Sequence, residues 1–514
     1  MVLDHAGAFF LPEVHFFEPG IEGLGRASEG EDDVDELRVL GSVDAGVADG
    51  EFFGEFWELA ELCDLSGHMM ESSLTLELLE GEDRDEGHEN DNEVGENLAK
   101  TVNRHVGERL AQRVEADYIS SMIYLDNHAT TAVHPEVVEA MLPFLTEHFH
   151  NPSSGYRASR IVKKAIAEAR GEVAQLIGAK EEEIVFTGCG TESNNMVLKS
   201  LARIYGRKSS RVITGEIEHS AVLRPCQAME DVGFEVTRCG VDEQGRLDLA
   251  QFQEACEGAE TGFASVMWAN NETGVIQPIA EACEMARAQN LAFHTDAIQA
   301  VGKIPVDVKE VPVDFLSISG HKFHAPKGIG ALYLREGVRF EPLIRGGGQE
   351  AGRRSGTENV AYIVGLGKAA SLMREALGKD AHADIAANRD HLEKRLSEEV
   401  EGVTLNGSRE DRVPTCAHVS FDGCEGAGLM ILLDESGVQI STGSACMTGK
   451  QQASHVQKAM GISDEQAKSS LRISFSSFTT RKETDEAVDK IKKAVAKLRQ
   501  VQGGGGVGPV VVYS

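Results

Sequence analysis

The amino-acid sequence predicts an α/β protein with a mostly parallel sheet and a second, smaller α+β domain. Three observations support this prediction. The chain has 514 residues, more than one ordinary domain holds. Short apolar segments alternate with helical patterns between residues 184 and 334, which is typical of a doubly wound sheet. Longer helical patterns dominate after about residue 376.

The strands are predicted from short apolar runs that end at glycine or polar residues. In chain order they are Ile123–Asn127, Ile184–Thr187, Arg211–Thr214, Phe263–Trp268, Leu291–Thr295, Phe315–Ser319, Gly330–Leu334, His418–Phe421 and Leu471–Ser474. The helices are predicted from apolar residues three and four positions apart. They are Pro135–His148, Ala158–Ile177, one that begins at Thr191, Ser220–Val232, Ile279–Gln289, Asp384–Val400 and Asp485–Gln500.

The first 121 residues differ in character from the rest. They hold 31 of the 83 acidic residues but only 7 of the 50 basic ones, and few stretches keep a helical or strand period. We expect a disordered acidic extension, or a segment outside a functional protein that starts at Met122. A specific acidic interaction module is the alternative.

These shifts in pattern predict the domain organisation. Residues 137–375 form the large domain, while residues 122–136 and 376–500 together form the small one. Residues 501–514 include four consecutive glycines and are expected to be a flexible tail.

Composition excludes several classes of protein. The net charge of −33 argues against a nucleic-acid binder, which needs a basic surface. No run of about 18 apolar residues is present, so no membrane-spanning helix is expected, and no signal peptide is visible. The nine cysteines are odd in number and include no Cys-x-x-Cys pair. We therefore expect neither disulfides nor a metal site, and a cytoplasmic protein.

The first candidate site is the loop Gly188–Ser193, which follows a predicted strand and opens a helix. Small residues let backbone N–H groups approach an anion, and a helix N-terminus favours negative charge. Gly190 and Thr191 are therefore candidates for binding a phosphate group. A plain turn and helix cap is the alternative.

A second group of candidates stands at the ends of later strands, where open α/β sheets bind ligands. Lys322 could form an imine if its amine is partly desolvated. Ser319 and His321 suit phosphate oxygens, and Asp296 could keep a ring nitrogen protonated. Gln299 could donate to a phenolate oxygen. A surface lysine and a helix-capping aspartate are the alternatives.

His219 also follows a predicted strand and could stack on an aromatic ring, although a structural histidine is the alternative. Taken together, the phosphate loop, the ring-stacking histidine, the aspartate, the glutamine and the lysine are what pyridoxal 5′-phosphate requires. All of them lie between Gly188 and Lys322.

Two further candidates lie in the second half of the chain. The segment Ser441–Gly449 is small, polar and rich in glycine, which predicts a surface loop. Cys446 within it is a candidate nucleophile, with an inert thiol as the alternative. Arg472 lies in a predicted strand between apolar residues and needs a carboxylate partner, from a substrate or from the chain itself.

Several motifs between Met122 and about Arg499 resemble the cysteine desulfurases of the NifS/IscS-like subgroup, within the class-V aminotransferase family. The matching segments are Tyr124–Thr131, Asn151–Ser154, Ala269–Gly274, Ser319–Lys322, Arg354–Asn359 and Ser441–Cys446. The resemblance implies pyridoxal-phosphate fold type I, with a seven-stranded sheet in the large domain. It also implies an enzyme that converts L-cysteine to L-alanine and passes the sulfur onward as a cysteine persulfide, for iron–sulfur cluster assembly or other sulfur transfer.

The resemblance assigns a role to each candidate. Lys322 would hold the cofactor as an imine, and Lys322 or His219 would move the substrate's α-proton. Cys446 would become the persulfide, while Asn271 and Arg472 would bind the substrate. The remaining cofactor contacts would come from Gly190, Thr191, His219, Asn271, Asp296, Gln299, Ser319 and His321, and from Thr357 of the neighbouring subunit of a homodimer.

Some features stay open at this stage. Residues 1–121 match nothing in the family, and the tail after residue 503 lacks the scaffold-docking end of IscS-type members, so the sulfur-acceptor protein is not identified. A selenocysteine lyase, another class-V pyridoxal-phosphate enzyme and a catalytically inactive sulfur-relay scaffold are the alternative functions.

Overall fold

A computed structural model of the chain describes residues 122–206, 210–379, 382–442 and 453–503. The acidic segment 1–121, the candidate nucleophile Cys446 and residues 504–514 lie outside these ranges. The predictions for them therefore stay predictions.

The strands of the described residues are β1 (Ile123–Tyr124), β2 (Ile184–Thr187), β3 (Ser210–Gly215), β4 (Glu235–Cys239), β5 (Thr261–Ser265), β6 (Ala292–Asp296), β7 (Phe315–Ser319), β8 (Gly330–Leu334), β9 (Val403–Leu405), β10 (Cys416–Phe421), β11 (Val438–Gln439) and β12 (Ser470–Ser474). The α-helices are α1 (Pro135–Thr146), α2 (Ala158–Leu176), α3 (Gly190–Tyr205), α4 (Ser220–Glu230), α5 (Leu249–Glu257), α6 (Ile279–Ala288), α7 (Val360–Gly378), α8 (His382–Glu399), α9 (Gly426–Glu435), α10 (His455–Ala459), α11 (Asp464–Lys468) and α12 (Arg481–Gly503). Short 3₁₀ turns occur at Glu181–Glu183, Gly320–Lys322 and Gln349–Gly352.

The largest sheet has seven strands in the order β2-β8-β7-β6-β5-β3-β4. Neighbours from β7 through β4 pair in parallel, while β8 runs antiparallel to both β7 and β2. The expectation of a mostly parallel, seven-stranded sheet is thus confirmed. Parallel neighbours need long crossovers, which explains why helices separate these strands along the chain.

Helices cover both faces of this sheet. Ile184 and Phe186 of β2 point into one apolar core, which also contains Leu366 of α7. Val185, the residue between them, points into a second core with Met196 of α3. The alternation of side chains along β2 therefore supplies both cores, which is why Ile184, Val185 and Phe186 are all apolar.

A separate core holds the two ends of the described chain together. Leu125, Val438, Ile473 and Val488 are all buried in it. Strand β1 pairs in parallel with β11, and β12, β10 and β9 form an antiparallel sheet in that order. The domain boundaries proposed above are not tested by these contacts and stay a prediction.

Some element boundaries differ from the expected ones. The edge strand β4, which was not expected, is only partly buried and has no apolar run to reveal it. Helix α12 begins at Arg481, four residues before the expected Asp485. The reason is a capping box, in which Glu483 accepts from the Thr480 backbone N–H and donates its own N–H to the Thr480 hydroxyl.

Two kinds of feature are absent from the described residues. None of their helices is long and apolar enough to cross a membrane. Within the same residues, no group of three or more His, Cys, Asp or Glu side chains is placed to hold a metal ion. His324, for example, is buried, its Nδ1 lies 2.9 Å from the Ala132 carbonyl oxygen, and its ring makes an edge contact with Phe478.

Candidate active site

The predicted site residues of the large sheet meet at the carboxyl ends of its strands. Asp296 is the last residue of β6, and Lys322 lies in the 3₁₀ turn that follows β7. His219 caps the helix that follows β3. The charges of these three side chains influence one another, so the fold brings them into a single electrostatic cluster.

The Lys322 amine is held by backbone carbonyl groups. Its Nζ donates to the His128 and Ala129 oxygens, at 2.7 and 2.8 Å. Burial, and then the positive charge of Arg472, lower the pKa of Lys322 to about 8. At pH 7 about a tenth of the amine is therefore neutral and nucleophilic, far more than for an ordinary lysine.

Asp296 is a buried carboxylate, only 4% exposed. It accepts from the Asn194 side-chain amide at 2.6 Å and from the Ile298 backbone N–H at 3.1 Å. Burial raises its pKa, although His219 and Lys322 partly oppose this shift. Among the described residues no cationic group lies within ion-pair distance of Asp296, so a protonated ring nitrogen fits as its partner.

Gln299 lies beside the same carbonyl group as Lys322. Its Nε2 donates to the His128 oxygen at 3.0 Å, and its Oε1 accepts from the buried amine of Lys303. The His128 imidazole is itself fixed, since Nε2 lies 2.9 Å from the Thr415 hydroxyl. The Gln299 amide therefore has a defined orientation, with its nitrogen on the side of Lys322.

The His219 ring has a defined tautomer. Its Nδ1 accepts the Ala221 backbone N–H at 3.1 Å, so the proton of the neutral ring lies on Nε2. Burial lowers the pKa of His219, and the positive charge of Lys322 lowers it further, while Asp296 opposes them. A neutral imidazole suits stacking on an aromatic ring. Taking up a proton at Nδ1 would break the helix cap.

The predicted phosphate loop is tightly built. Gly190 and Thr191 open α3, a helix of 16 residues whose first N–H groups favour an anion. A Cβ at Gly190 would lie 2.1 Å from the Ile298 Cδ1 atom and 3.2 Å from the Ser319 Cβ atom, so only glycine fits here. His321 is another of the residues predicted to bind the phosphate group. Burial lowers the pKa of its imidazole to about 4.

Arg472 of β12 is buried and already has a carboxylate partner. Its Nη2 donates to the Asp126 side chain at 2.6 Å, and its Nη1 donates to the Asn271 carbonyl oxygen at 3.1 Å. Its Nε atom has no hydrogen-bond partner among the described residues. Of the two carboxylate partners expected for Arg472, one from a substrate and one from the chain itself, the chain supplies the second as Asp126.

Thr357 is not joined to this cluster by hydrogen bonds. It is an exposed residue, and in the described part of the chain its side chain makes no hydrogen bond. The segment before it is tied to the phosphate loop, because Arg354 Nε donates to Glu192 at 2.8 Å. An exposed position agrees with a role toward another subunit.

Both ends of the segment that contains Cys446 are attached at the site. Ser441 and Arg472 exchange backbone hydrogen bonds of 3.3 and 2.7 Å on one side of the segment. On the other side, the Ser454 hydroxyl donates to the buried carboxylate of Glu272 at 2.5 Å. Cys446 itself lies outside the described residues.

The described cysteines include several poor nucleophiles. Burial raises the pKa values of their thiols to about 12 at Cys226, Cys239, Cys256 and Cys283, and to about 11 at Cys416. All seven described cysteines are free thiols. Since a thiol must ionise to attack, these five are unsuited to nucleophilic chemistry near neutral pH.

Sequence reasoning missed several residues that shape the site. They are the carbonyl and imidazole of His128, the carboxylate partner Asp126, the Asp296 partner Asn194, and the buried Lys303 and Glu272. His128 and Asp126 lie in Tyr124–Thr131, one of the segments that resemble the family, but the resemblance assigns neither of them a role. Lys303 had a weak signal, a lone lysine between the apolar residues Val301 and Ile304.

Comparison with known proteins agrees with this geometry. The sequence profile of the family "Aminotransferase class-V" matches residues 123–487. Cysteine desulfurase IscS of Dictyoglomus turgidum is 44% identical over 379 residues, which cover 74% of this chain and 96% of that protein. Cysteine desulfurase NifS of Azotobacter vinelandii is 43% identical over 380 residues, covering 74% and 94%. A solved NifS-like protein superposes with a TM-score of 0.69 at 36% identity, covering 73% of this chain and all of the other.

Proposed function

The chain belongs to the aminotransferase class-V family, and from that premise we propose how its residues carry out their reaction. The protein is a pyridoxal 5′-phosphate-dependent cysteine desulfurase, which converts L-cysteine to L-alanine. The observation that best supports the site assignment is the Lys322 amine, with its lowered pKa, beside the buried carboxylate of Asp296.

The side chains present fit the cofactor group by group. Lys322 would attach it covalently, Asp296 would pair with its ring nitrogen, and Gln299 would donate to its phenolate oxygen. His219 would stack on the ring. The phosphate contacts would come from Gly190, Thr191, Ser319 and His321. When bound, the cofactor supplies a sink for the electrons released at the substrate's Cα.

Proton movement is assigned to Lys322 rather than to His219. The Nδ1 lone pair of His219 is used in capping α4, and its Nε2 already carries a proton. The Lys322 amine has a pKa of about 8, which suits a group that must take up and return a proton. His219 keeps the role of a neutral stacking group.

Substrate binding is assigned to Arg472 and Asn271. Arg472 is buried near Lys322, whose pKa its charge lowers. Its free Nε atom can donate to the substrate carboxylate, which competes with Asp126 for the rest of the guanidinium group. The Asn271 carbonyl fixes the other arm of the guanidinium group.

Cys446 is the proposed acceptor of sulfur. Its thiolate attacks the sulfur of the substrate, an S–S bond forms, and the C–S bond breaks. The electron pair of that bond stays with the substrate's Cβ, which takes up a proton, so the products are alanine and a Cys446 persulfide. The anchors at Ser441 and Ser454 tether the segment of Cys446 to the site.

The assignment is tested with full-length protein loaded with cofactor. Cys446→Ala should abolish alanine formation from cysteine while the visible absorbance of the bound cofactor is kept. The buried-thiol variant Cys424→Ala is the control and should stay active. Lys322→Ala should lose the visible absorbance. Full alanine production by Cys446→Ala would overturn the persulfide step.

We further propose that the enzyme is a homodimer. Val138, Leu142 and Leu145 of α1 are each about half exposed, and Phe149 is 72% exposed. The spacing of the first three places them on one face of the helix, where a second copy would cover them. In such a dimer the exposed Thr357 would reach the partner's phosphate.

Mixed dimers test this arrangement. Lys322→Ala and Thr357→Val should each have little activity alone. In a heterodimer of the two, one of the two sites keeps both Lys322 and a wild-type Thr357. Because about half of the dimers in an equal, randomly paired mixture are heterodimers, co-refolded mixtures should recover about a quarter of the wild-type activity. A mixture no more active than its parts would rule out the cross-subunit role.

The sulfur acceptor is proposed to be an iron–sulfur scaffold or another sulfur-transfer protein. The free thiols of the described cysteines suit a reducing compartment, and we propose the cytoplasm. Transfer of ³⁵S from the persulfide to a co-purified partner would identify the acceptor.

A further inference from the structure

The chain buries a second lysine beside Lys322. Lys303 is only 5% exposed, and no carboxylate lies within ion-pair distance of its amine in the described residues. The amine donates a hydrogen bond to a neutral acceptor, the Oε1 atom of Gln299. A buried ammonium without a counter-charge is costly, so its presence needs an explanation.

The local backbone brings Lys303 into this position. Gly302, the preceding residue, has a positive φ of 78°, and a Cβ on it would lie 2.8 Å from the Phe323 Cβ atom. Glycine therefore allows this turn to pack against the residue that follows Lys322. Lys303 and Lys322 line the same cavity of about 50 Å³.

The hydrogen bonds around Gln299 fix which end of its side-chain amide is the oxygen and which is the nitrogen. The Lys303 amine donates to Oε1, so it selects the oxygen end of the Gln299 amide. The His128 carbonyl can only accept, so it selects the nitrogen end, at 3.0 Å. One N–H of the Gln299 amide remains for a further acceptor.

We propose that Lys303 is a positioning residue for the cofactor, which orients and polarises the Gln299 amide so that its remaining N–H donates to the cofactor's phenolate oxygen. This inference rests on the proposed placement of the cofactor. The inference gives a role to Lys303, which in that placement contacts neither the cofactor nor the substrate. When Lys303 is protonated, its charge acts in the same direction, because it stabilises negative charge on that oxygen.

Other charged and titratable groups also face Lys303. The groups that interact with it are Lys322, Arg472, Cys416, His128, His321 and His324. Burial, and then the charge of Lys322, lower the pKa of Lys303 well below its usual value, which favours the neutral amine until an anion is bound beside it. An anionic cofactor supplies the negative charge that the described residues around Lys303 lack.

The test compares three variants of the loaded, full-length enzyme. Lys303→Met removes the hydrogen-bond donor and the charge but keeps a side chain of similar length. Lys303→Gln keeps a hydrogen-bond donor without the charge. Lys309→Met, at an exposed lysine, is the control. The readouts are the pKa of the visible chromophore, titrated by absorbance, and the cofactor dissociation constant. Circular dichroism and the melting temperature report folding.

Lys303→Met should raise the pKa of the chromophore by roughly one unit, because a group that stabilised the deprotonated form is lost. It should weaken cofactor binding about tenfold. Lys303→Gln should show the pKa rise with a smaller loss of affinity. Removing an unpaired buried charge should not lower the melting temperature; if Lys303→Met nevertheless fails to fold, Lys303→Gln decides the question.

An unchanged chromophore pKa in the folded Lys303 variants would overturn the proposal, as would an equal shift in Lys309→Met. Failure of the cofactor placement itself would look different. In that case the wild-type protein would show no visible band after incubation with the cofactor, or Lys322→Ala would keep it.

Discussion

Asp126 and Arg472 are 346 positions apart in the chain, yet their side chains form an ion pair of 2.6 Å at the site. Both are largely buried, with exposed side-chain fractions of 21% and 7%. Asp126 therefore competes with any substrate carboxylate for the same guanidinium group. It also offsets the effect of Arg472 on Lys322, because the carboxylate raises the pKa that the guanidinium lowers.

This competition predicts opposite effects of two substitutions on substrate binding. Arg472→Gln should raise KM for L-cysteine at least about tenfold, since a charge-assisted hydrogen bond is lost. Asp126→Asn should leave KM unchanged or lower it, because the guanidinium is released. Steady-state alanine production measures both, with Arg472→Lys as a variant that keeps charge but loses the planar fork. An unchanged KM in Arg472→Gln would contradict the substrate role.

A second prediction concerns the pH dependence of cofactor attachment. Only the neutral Lys322 amine can attack the cofactor, and its pKa is lowered to about 8. The attachment rate of cofactor-free protein should therefore rise with pH and level off above about pH 8. Stopped-flow absorbance measures it. Arg472→Gln should move the midpoint upward and Asp126→Asn downward, so shifts in the same direction would contradict the electrostatic explanation.

Gly190 allows a third prediction, about packing at the phosphate loop. Gly190→Ala should destabilise the protein by about 1–3 kcal/mol, because the new Cβ overlaps the Ile298 side chain. Cofactor affinity should fall as well. Ile298→Ala removes the overlapping atoms, so the double variant should recover most of the loss. Thermal unfolding with and without cofactor tests this. If the stability losses of Gly190→Ala and Ile298→Ala simply add in the double variant, the overlap is not the cause of the destabilisation.

A fourth prediction concerns a buried ion pair. Arg170 donates two hydrogen bonds of 2.7 Å to Glu350, which also accepts the Phe186 backbone N–H. Glu350→Gln leaves the Arg170 charge unpaired and should cost about 3 kcal/mol of unfolding free energy. Glu168→Gln breaks an exposed pair with Lys164 and should cost less than about 0.5 kcal/mol. Urea denaturation compares them, and equal losses would refute the argument from burial.

The sequence predicted the parts of this molecule that depend on local pattern. The central strands are buried on both faces and so read as apolar runs, and the residues that end them, such as Asp296, fell at one edge of the sheet as expected. The exposed edge strand β4 has no such run and was missed. The start of α12 at the Thr480–Glu483 capping box was visible in the sequence but was overlooked.

Contacts between distant segments could not be predicted in the same way. The pairing of Asp126 with Arg472 depends on two strands from opposite ends of the described chain. The burial of Lys303 depends on the turn at Gly302 and on Phe323 beside it. Asp126 does not differ in sequence from an ordinary surface charge, and Lys303 gives only a weak signal, so the folded arrangement is needed to reveal their roles.

The pairing of β1 with β11 also has a consequence during synthesis. When a ribosome has produced β1, its partner strand is still more than 300 residues from being translated. The large sheet, whose strands lie between Ile184 and Leu334, can fold during that interval. The nascent polypeptide must therefore carry β1 without its β11 partner until the last portion of the chain emerges, and catalytic competence arises only after translation is nearly complete.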